Sequence, residues 1–187
     1  SAGKSFSSTP LPLLSDSLLQ KICKEAHQRQ LPVVAYIETW EELEKAIQNG
    51  VDQIDGGLFL ERELPTKEQA EHIFPTMQKK PIFYIPKHYS FFALAQYPET
   101  PYALEAWERQ RVTHLLLDSA LFPYAFPAFE KKNVPVLDWL QNATQNLQVL
   151  QTQKIPILAS SQAGNPFVFF GTSLHYQLYA LEQAGWN

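Results

Sequence analysis

Chemistry in this 187-residue chain would have to come from a few short stretches. The richest runs from Ile155 to His175: an apolar strand, a loop of small residues, and the opening of a helix. That order places loop side chains in the crevice at a strand's carboxyl end, where α/β folds usually keep their sites. The loop offers Ser160, Ser161, Gln162, Gly164 and Asn165; Gly164 and Asn165 tolerate left-handed backbone and shape its turn. No His with a carboxylate is placed by sequence to activate Ser160 or Ser161, and a Gly-x-Ser-x-Gly elbow is absent. Gly56 and Gly57 lack the further glycines of a phosphate-cradling loop. Asp118 follows the apolar Leu115–Leu117 and reads better as a helix N-cap than as a catalytic carboxylate. Asp52 and Asp55 are three apart on a short strand, so they point to opposite faces and are not a paired acid–base set. His88 and His114 are not at ligand spacing, and a new metal site from His88, Asp118 and Asp55 is the weakest of these readings. A lone Cys23 excludes an internal disulfide and a Cys-based zinc site.

The elements that must position these residues alternate. Ser15 or Asp16 caps a helix that runs to about Arg29, with Leu18, Leu19, Ile22, Cys23 and Ala26 on one side. Cys23 is thus expected to be a small buried apolar residue. Residues 32–37 form a continuous apolar run, the pattern of a strand covered on both faces. Thr39 and Glu42 make a capping-box pair for a helix Trp40–Gln48, which Asn49 and Gly50 end. A short strand over 51–56, a helix from Thr66 to about Lys79 and a strand over 81–85 follow. Tyr89–Gln96 and Ala103–Arg111 read as helices, and Thr113–Leu117 as a possible strand. A helix over Trp139–Gln153, a strand over Ile155–Ala159 and a helix over Ser173–Ala184 complete the chain.

Strands alternating with helices imply an α/β fold with a parallel sheet and helical layers. A full eight-stranded barrel typically needs ~250 residues, so this chain is expected to form a partial (half) barrel, an open sheet, or a fragment that completes itself against another chain. Residues 1–12 read as a flexible arm and 13–187 as a single domain.

Bulk properties narrow the partners. The hydrophobic content of 45% can build a sizeable core. A net charge of −4, with 15 scattered Lys and Arg, gives no phosphate-binding stripe, so nucleic acid is not an expected partner. No apolar run approaches the ~20 residues of a membrane helix. The N-terminus lacks a signal-peptide core, and a soluble protein, cytoplasmic or periplasmic, is expected. Aromatics cluster at Tyr89–Phe92, Phe122–Phe129 and Phe167–Phe170. The last of these clusters, between Pro166 and Gly171, is hard to bury in a regular element.

Four segments together resemble the amidohydrolase superfamily, most closely its imidazolonepropionase-like and prolidase-like branch. Pro32–Tyr36 looks like the strand that ends in a metal-binding His. Glu42–Asp52 resembles the helix and turn that follow. Ile54–Gly57 is similar to the short signature carrying the second His, and Ile157–His175 matches the last strand, its Gly-Asn-Pro loop and the opening of the next helix. The resemblance places this chain at the C-terminal half of the barrel and implies the pocket positions Tyr36, Asp55, Gly56, Gln162, Asn165 and His175. It also implies that the metal ligands are gone. Tyr36 and Gly56 stand where the His residues are expected, and Gln162 where the Asp is. A phenol of pKa near ~10 is a poor ligand at pH 7, glycine has no side chain, and an amide cannot take a proton from bound water. Catalytic zinc needs about three protein ligands and an open position.

Two main readings follow from the resemblance. In one, the chain is a degenerate, metal-free domain that binds or assembles, its sheet edges covered by a second copy or another subunit. In the other, it is part of a zinc-dependent hydrolase of C–N bonds completed by a missing N-terminal half or another subunit. A third reading is a small-molecule binder using Tyr36, Gln162 and the aromatics.

Overall fold

Local sequence sets the helix starts in this computed structural model, which describes residues 13–58, 63–96, 136–164 and 168–186. Ser15 caps α1 (Asp16–Gln28), its hydroxyl accepting from the Leu18 N–H. Thr39 caps α2 (Trp40–Gln48) by accepting from the Glu42 N–H at 3.2 Å. The expected capping box is only half formed there, because the Glu42 carboxylate accepts from the Glu38 N–H, one residue before the cap, at 2.7 Å. The complete box occurs instead at Thr66 and Gln69, which start α3 (Lys67–Lys79).

Between the helices lie β1 (Val34–Ile37), β2 (Gln53–Gly56) and β3 (Phe83–Pro86), a parallel sheet in the order β1-β2-β3. Tyr36 aligns with Asp55 and Ile85, and Ile37 with Gly56 and Pro86. The helices α4 (His88–Gln96), α5 (Val136–Thr152) and α6 (Ser173–Gln183) complete the described elements. The expected fourth strand over 155–159 contracts to one parallel bridge, Ile157 to Tyr84, flanked by the Tyr84 N–H to Pro156 and Leu158 N–H to Tyr84 bonds. The expected arm over 1–12, the helix over 103–111, the strand over 113–117 and the Phe122–Phe129 stretch lie outside the described residues.

The chain divides into two compact units. One comprises Ser1–Pro86 with Asn142–Leu158, the other Lys87–Gln141 with Ala159–Asn187. In the first, Ile37, Ile54 and Tyr84 share one sheet face, and all three are buried. Leu43, Ile47, Ile73, Met77, Leu147 and Leu150 add the buried faces of α2, α3 and α5. Trp40 meets Phe74 edge-on, ring centroids 6.1 Å apart. Asn146 is buried and donates to the Leu58 carbonyl at 2.8 Å, satisfying a polar pair that burial would otherwise penalise by about 1–3 kcal/mol.

The other sheet face departs from expectation. Val34 and Tyr36 are 51% and 52% exposed. The 32–37 run is therefore not covered on both faces among the described residues; its apolar sequence does not guarantee a covering layer. In the second unit α4 packs against α6, where Tyr89 stacks on Tyr176 at 5.2 Å.

Candidate functional site at the carboxyl end of the sheet

Tyr36 and Asp55 end up as register partners on the same sheet face, while Gly56 follows Asp55 and belongs to the opposite face. The structure thus brings two of the inferred pocket residues together and separates the third. A side chain at Gly56 has no room: an added Cβ would fall on the Ile37 carbonyl oxygen and also crowd the Ile37 side chain. Close backbone approach, rather than a turn, makes glycine necessary at this position.

The centre of this end is a residue that the sequence reading passed over. Glu38 follows β1 directly, is 7% exposed, and accepts the Tyr36 hydroxyl proton at 2.7 Å. Burial of the phenol, and secondly the Glu38 carboxylate, push the Tyr36 pKa far above the ordinary tyrosine range; Asp55 and Glu42 act in the same direction. Tyr36 therefore stays a neutral donor although half of its surface is open. Tyr84, buried on the opposite face, is shifted upward too, first by burial and then by the Asp55 charge. The available signal for Glu38 was its place between an apolar strand and a capping threonine, a strand-end position like those that carry α/β sites.

In the second unit, Gln162 has a left-handed backbone, φ 52°. Such a conformation in a non-glycine residue costs of order 1–3 kcal/mol and clusters at functional turns. Its side-chain amide donates to the Ser160 hydroxyl at 3.3 Å, and the Ser161 hydroxyl accepts from the Ala163 N–H at 3.3 Å. Gly164, φ 102°, closes the turn through its N–H to the Val168 carbonyl. Asn165 lies outside the described residues. His175 sits on α6 with an exposed side chain, its N–H bonded to the Thr172 carbonyl. Of the 167–170 run, Phe170 is 72% exposed while Val168 is buried, and Phe167 lies outside the described residues.

At each position where the resemblance implies a metal ligand, the side chain differs from the His or Asp expected there. Tyr36 keeps its proton, Gly56 cannot accommodate a side chain, and Gln162 offers a neutral amide engaged with Ser160. Among the described residues, no group of three or more His, Cys, Asp or Glu is arranged to hold a metal ion.

A second cluster lies at the amino end of the sheet. Asp52 precedes β2 and receives His27 Nε2 at 2.7 Å, the Val33 N–H at 2.8 Å and Lys80 Nζ at 2.8 Å. Partial burial works to raise its pKa, but the bonds from Lys80, Val33 and His27 outweigh that and hold the carboxyl at about 2. Lys80 also donates to the Gly50 and Val51 carbonyls. Cys23 is buried as expected, its Cβ facing Gly50.

Parallel strands, intervening helices and strand-end loops define a partial βα-barrel architecture, and solved structures similar to it include a prolidase, a Xaa-Pro dipeptidase and an amidohydrolase. A Xaa-Pro dipeptidase with methionine bound in its active site is similar over 93% of this chain and 34% of its own, at 15% identity and TM-score 0.59. A prolidase complexed with N-methylphosphonate-L-proline is similar over 92% of this chain and 33% of its own, at 15% identity and TM-score 0.55. Bottromycin amidohydrolase is similar over 91% and 40%, at 17% identity and TM-score 0.57. The chain thus spans about a third to two-fifths of the length of these structures, which establishes a shared fold over part of a barrel. No family model and no curated protein matches the sequence. Among the described residues, no helix is long and apolar enough to cross a membrane.

Proposed function

We propose that this chain carries the C-terminal half of an amidohydrolase-type scaffold that has lost its metal centre and serves in binding or assembly. The observation that carries this reading is Gly56. In the resemblance it stands at the second metal-binding His, and here no side chain could project from that position without moving the Ile37 backbone. Tyr36 supports the same reading: its proton is held by Glu38, so the phenol is used as a hydrogen-bond donor within the sheet end and not as an anionic ligand. The half-exposed Val34 and Tyr36, on the strand that ends the order, support a role in which a second copy or another subunit covers that face.

The test is made on the purified protein. Dialysis against zinc or manganese, followed by elemental analysis, is expected to leave far less than one ion per chain. Hydrolysis of an Xaa-Pro dipeptide or a cyclic amide is expected to stay at background, and light scattering to give a mass above that of one chain. A stoichiometric ion together with metal-dependent C–N bond hydrolysis would falsify the proposal and favour a zinc hydrolase completed by another segment or subunit.

A further inference from the structure

The helix α6 is built inside out. Ser173, Gln177 and Leu181 recur at i, i+4 and i+8 and are all buried, the first two completely. Leu174, Leu178 and Tyr179 on its other side are 42%, 50% and 58% exposed. Two polar side chains thus occupy the face where apolar ones are expected.

Their bonding is incomplete in a directional way. Gln177 Oε1 accepts from the Tyr89 N–H at 2.9 Å, in the first turn of α4. A flipped amide would set donor against donor at Tyr89, so this contact fixes the Gln177 orientation. Among the described residues, its Nε2 is buried with no partner, and so are the Ser173 hydroxyl and the hydroxyl of Ser90, the third residue of α4. Burying such a group is unfavourable unless something accepts from it. The helix positive end lies on the same side, because Tyr89 and Ser90 belong to the first turn. His88 beside them is driven down to a pKa of about 4 by burial, so at neutral pH it adds no cation.

We propose that the first turn of α4 and the buried face of α6 bind a small oxyanion, a carboxylate or phosphate group, through Gln177 Nε2 and the Ser90 and Ser173 hydroxyls. An oxyanion supplies acceptors alone, which matches buried donors on two packed helices, one donor in the first turn of α4 and another on the residue that bonds that turn. The Tyr89–Tyr176 stack, rings 9° from parallel, ties the two helices together and holds the donors in place before the ligand arrives. This inference stands apart from the fate of the metal centre, since it uses none of the positions argued there.

Thermal unfolding is measured with acetate and with inorganic phosphate, each against sodium chloride at equal ionic strength. The expected result is a saturable rise in Tm with at least one of them. Acetate alone identifies a planar carboxylate site, phosphate alone a tetrahedral one. Ser90→Ala and Ser173→Ala are each expected to weaken the apparent affinity about tenfold, the worth of one hydrogen bond to a charged group. Gln177→Met should abolish the response, and the two serine variants carry the test if it fails to fold. A flat response to both anions overturns the proposal and leaves the donors to buried water. An anion response that Ser90→Ala and Ser173→Ala leave unchanged overturns it as well.

Discussion

The two ends of the three-stranded sheet keep a carboxylate by opposite means. At the amino end, Asp52 is ringed by a lysine, an imidazole and a backbone N–H, all within 2.8 Å. At the carboxyl end, Glu38 is more deeply buried, and the bond at 2.7 Å comes from a neutral phenol. The first arrangement drives its acid to ionise; the second drives its tyrosine to stay protonated. Parallel βα folds commonly put stability at the amino end of the strands and sites at the carboxyl end. The charged clasp of Asp52 and the buried Glu38 with its phenol donor follow that division.

The largest effect that could break this picture is at Gly56. Gly56→Ala pushes a methyl group into the Ile37 carbonyl, and backbone rather than a flexible side chain would have to move. The expected loss of unfolding free energy is about 3 kcal/mol or more, read from urea titration, because a severe backbone clash belongs to the upper tail of point mutations. A loss below about 1 kcal/mol would mean that β1 and β2 do not approach as described. The carboxyl end would then have room for a ligating residue.

The amino end supplies the next test. Asp52 has its pKa lowered from 3.8 to about 2, so its contribution is fully present above pH 3.8 and is lost as pH falls through about 2. Because Asp52 is only partly buried, that contribution is discounted to about 1–2 kcal/mol. Asp52→Asn should cost this amount at pH 7 and should flatten the decline of wild-type stability between pH 4 and 2. Parallel acid profiles for wild type and variant would assign the decline to other carboxylates.

Much of this architecture is legible in the residues. Ser15, Thr39 and Thr66 mark helix starts, and each caps through its hydroxyl because a strand or turn precedes it. The stretches expected as strands at 32–37, 51–56 and 81–85 each overlap one, which starts later because the leading residues serve the connections: Asp52 in the clasp, Val33 donating to it, Pro81 with no N–H to give. Coverage of the second face is what the pattern could not reveal. The 32–37 stretch reads as doubly buried, yet Val34 and Tyr36 on one face are half exposed. Side-chain competition was equally hidden. Glu42 is spaced to bond Thr39, but the Glu38 N–H takes its carboxylate. That same segment carries the buried acid at the centre of the candidate site, for which one sequence offers a position and no periodicity.

The smallest of the three effects tests whether Tyr36 and Glu38 act as a unit. Tyr36→Phe removes the hydroxyl and leaves the ring, so the half-exposed surface hardly changes while Glu38 loses its 2.7 Å donor. The expected cost is about 1 kcal/mol near pH 7, the order of one net hydrogen bond. Its pH dependence has the opposite sign to that of Asp52. The Tyr36 pKa is raised in the folded protein, so the stabilisation is complete below the unfolded value of about 10 and fades as pH rises toward the folded one. Wild type and Tyr36→Phe should therefore gain the same phenolate absorbance while folded, through the range where ordinary tyrosines ionise. A variant short by one phenolate in that range would show that Tyr36 titrates freely. The carboxyl end would then lack the proton-holding pair that sets it apart from the amino end, and Tyr36 could again serve as an anionic ligand.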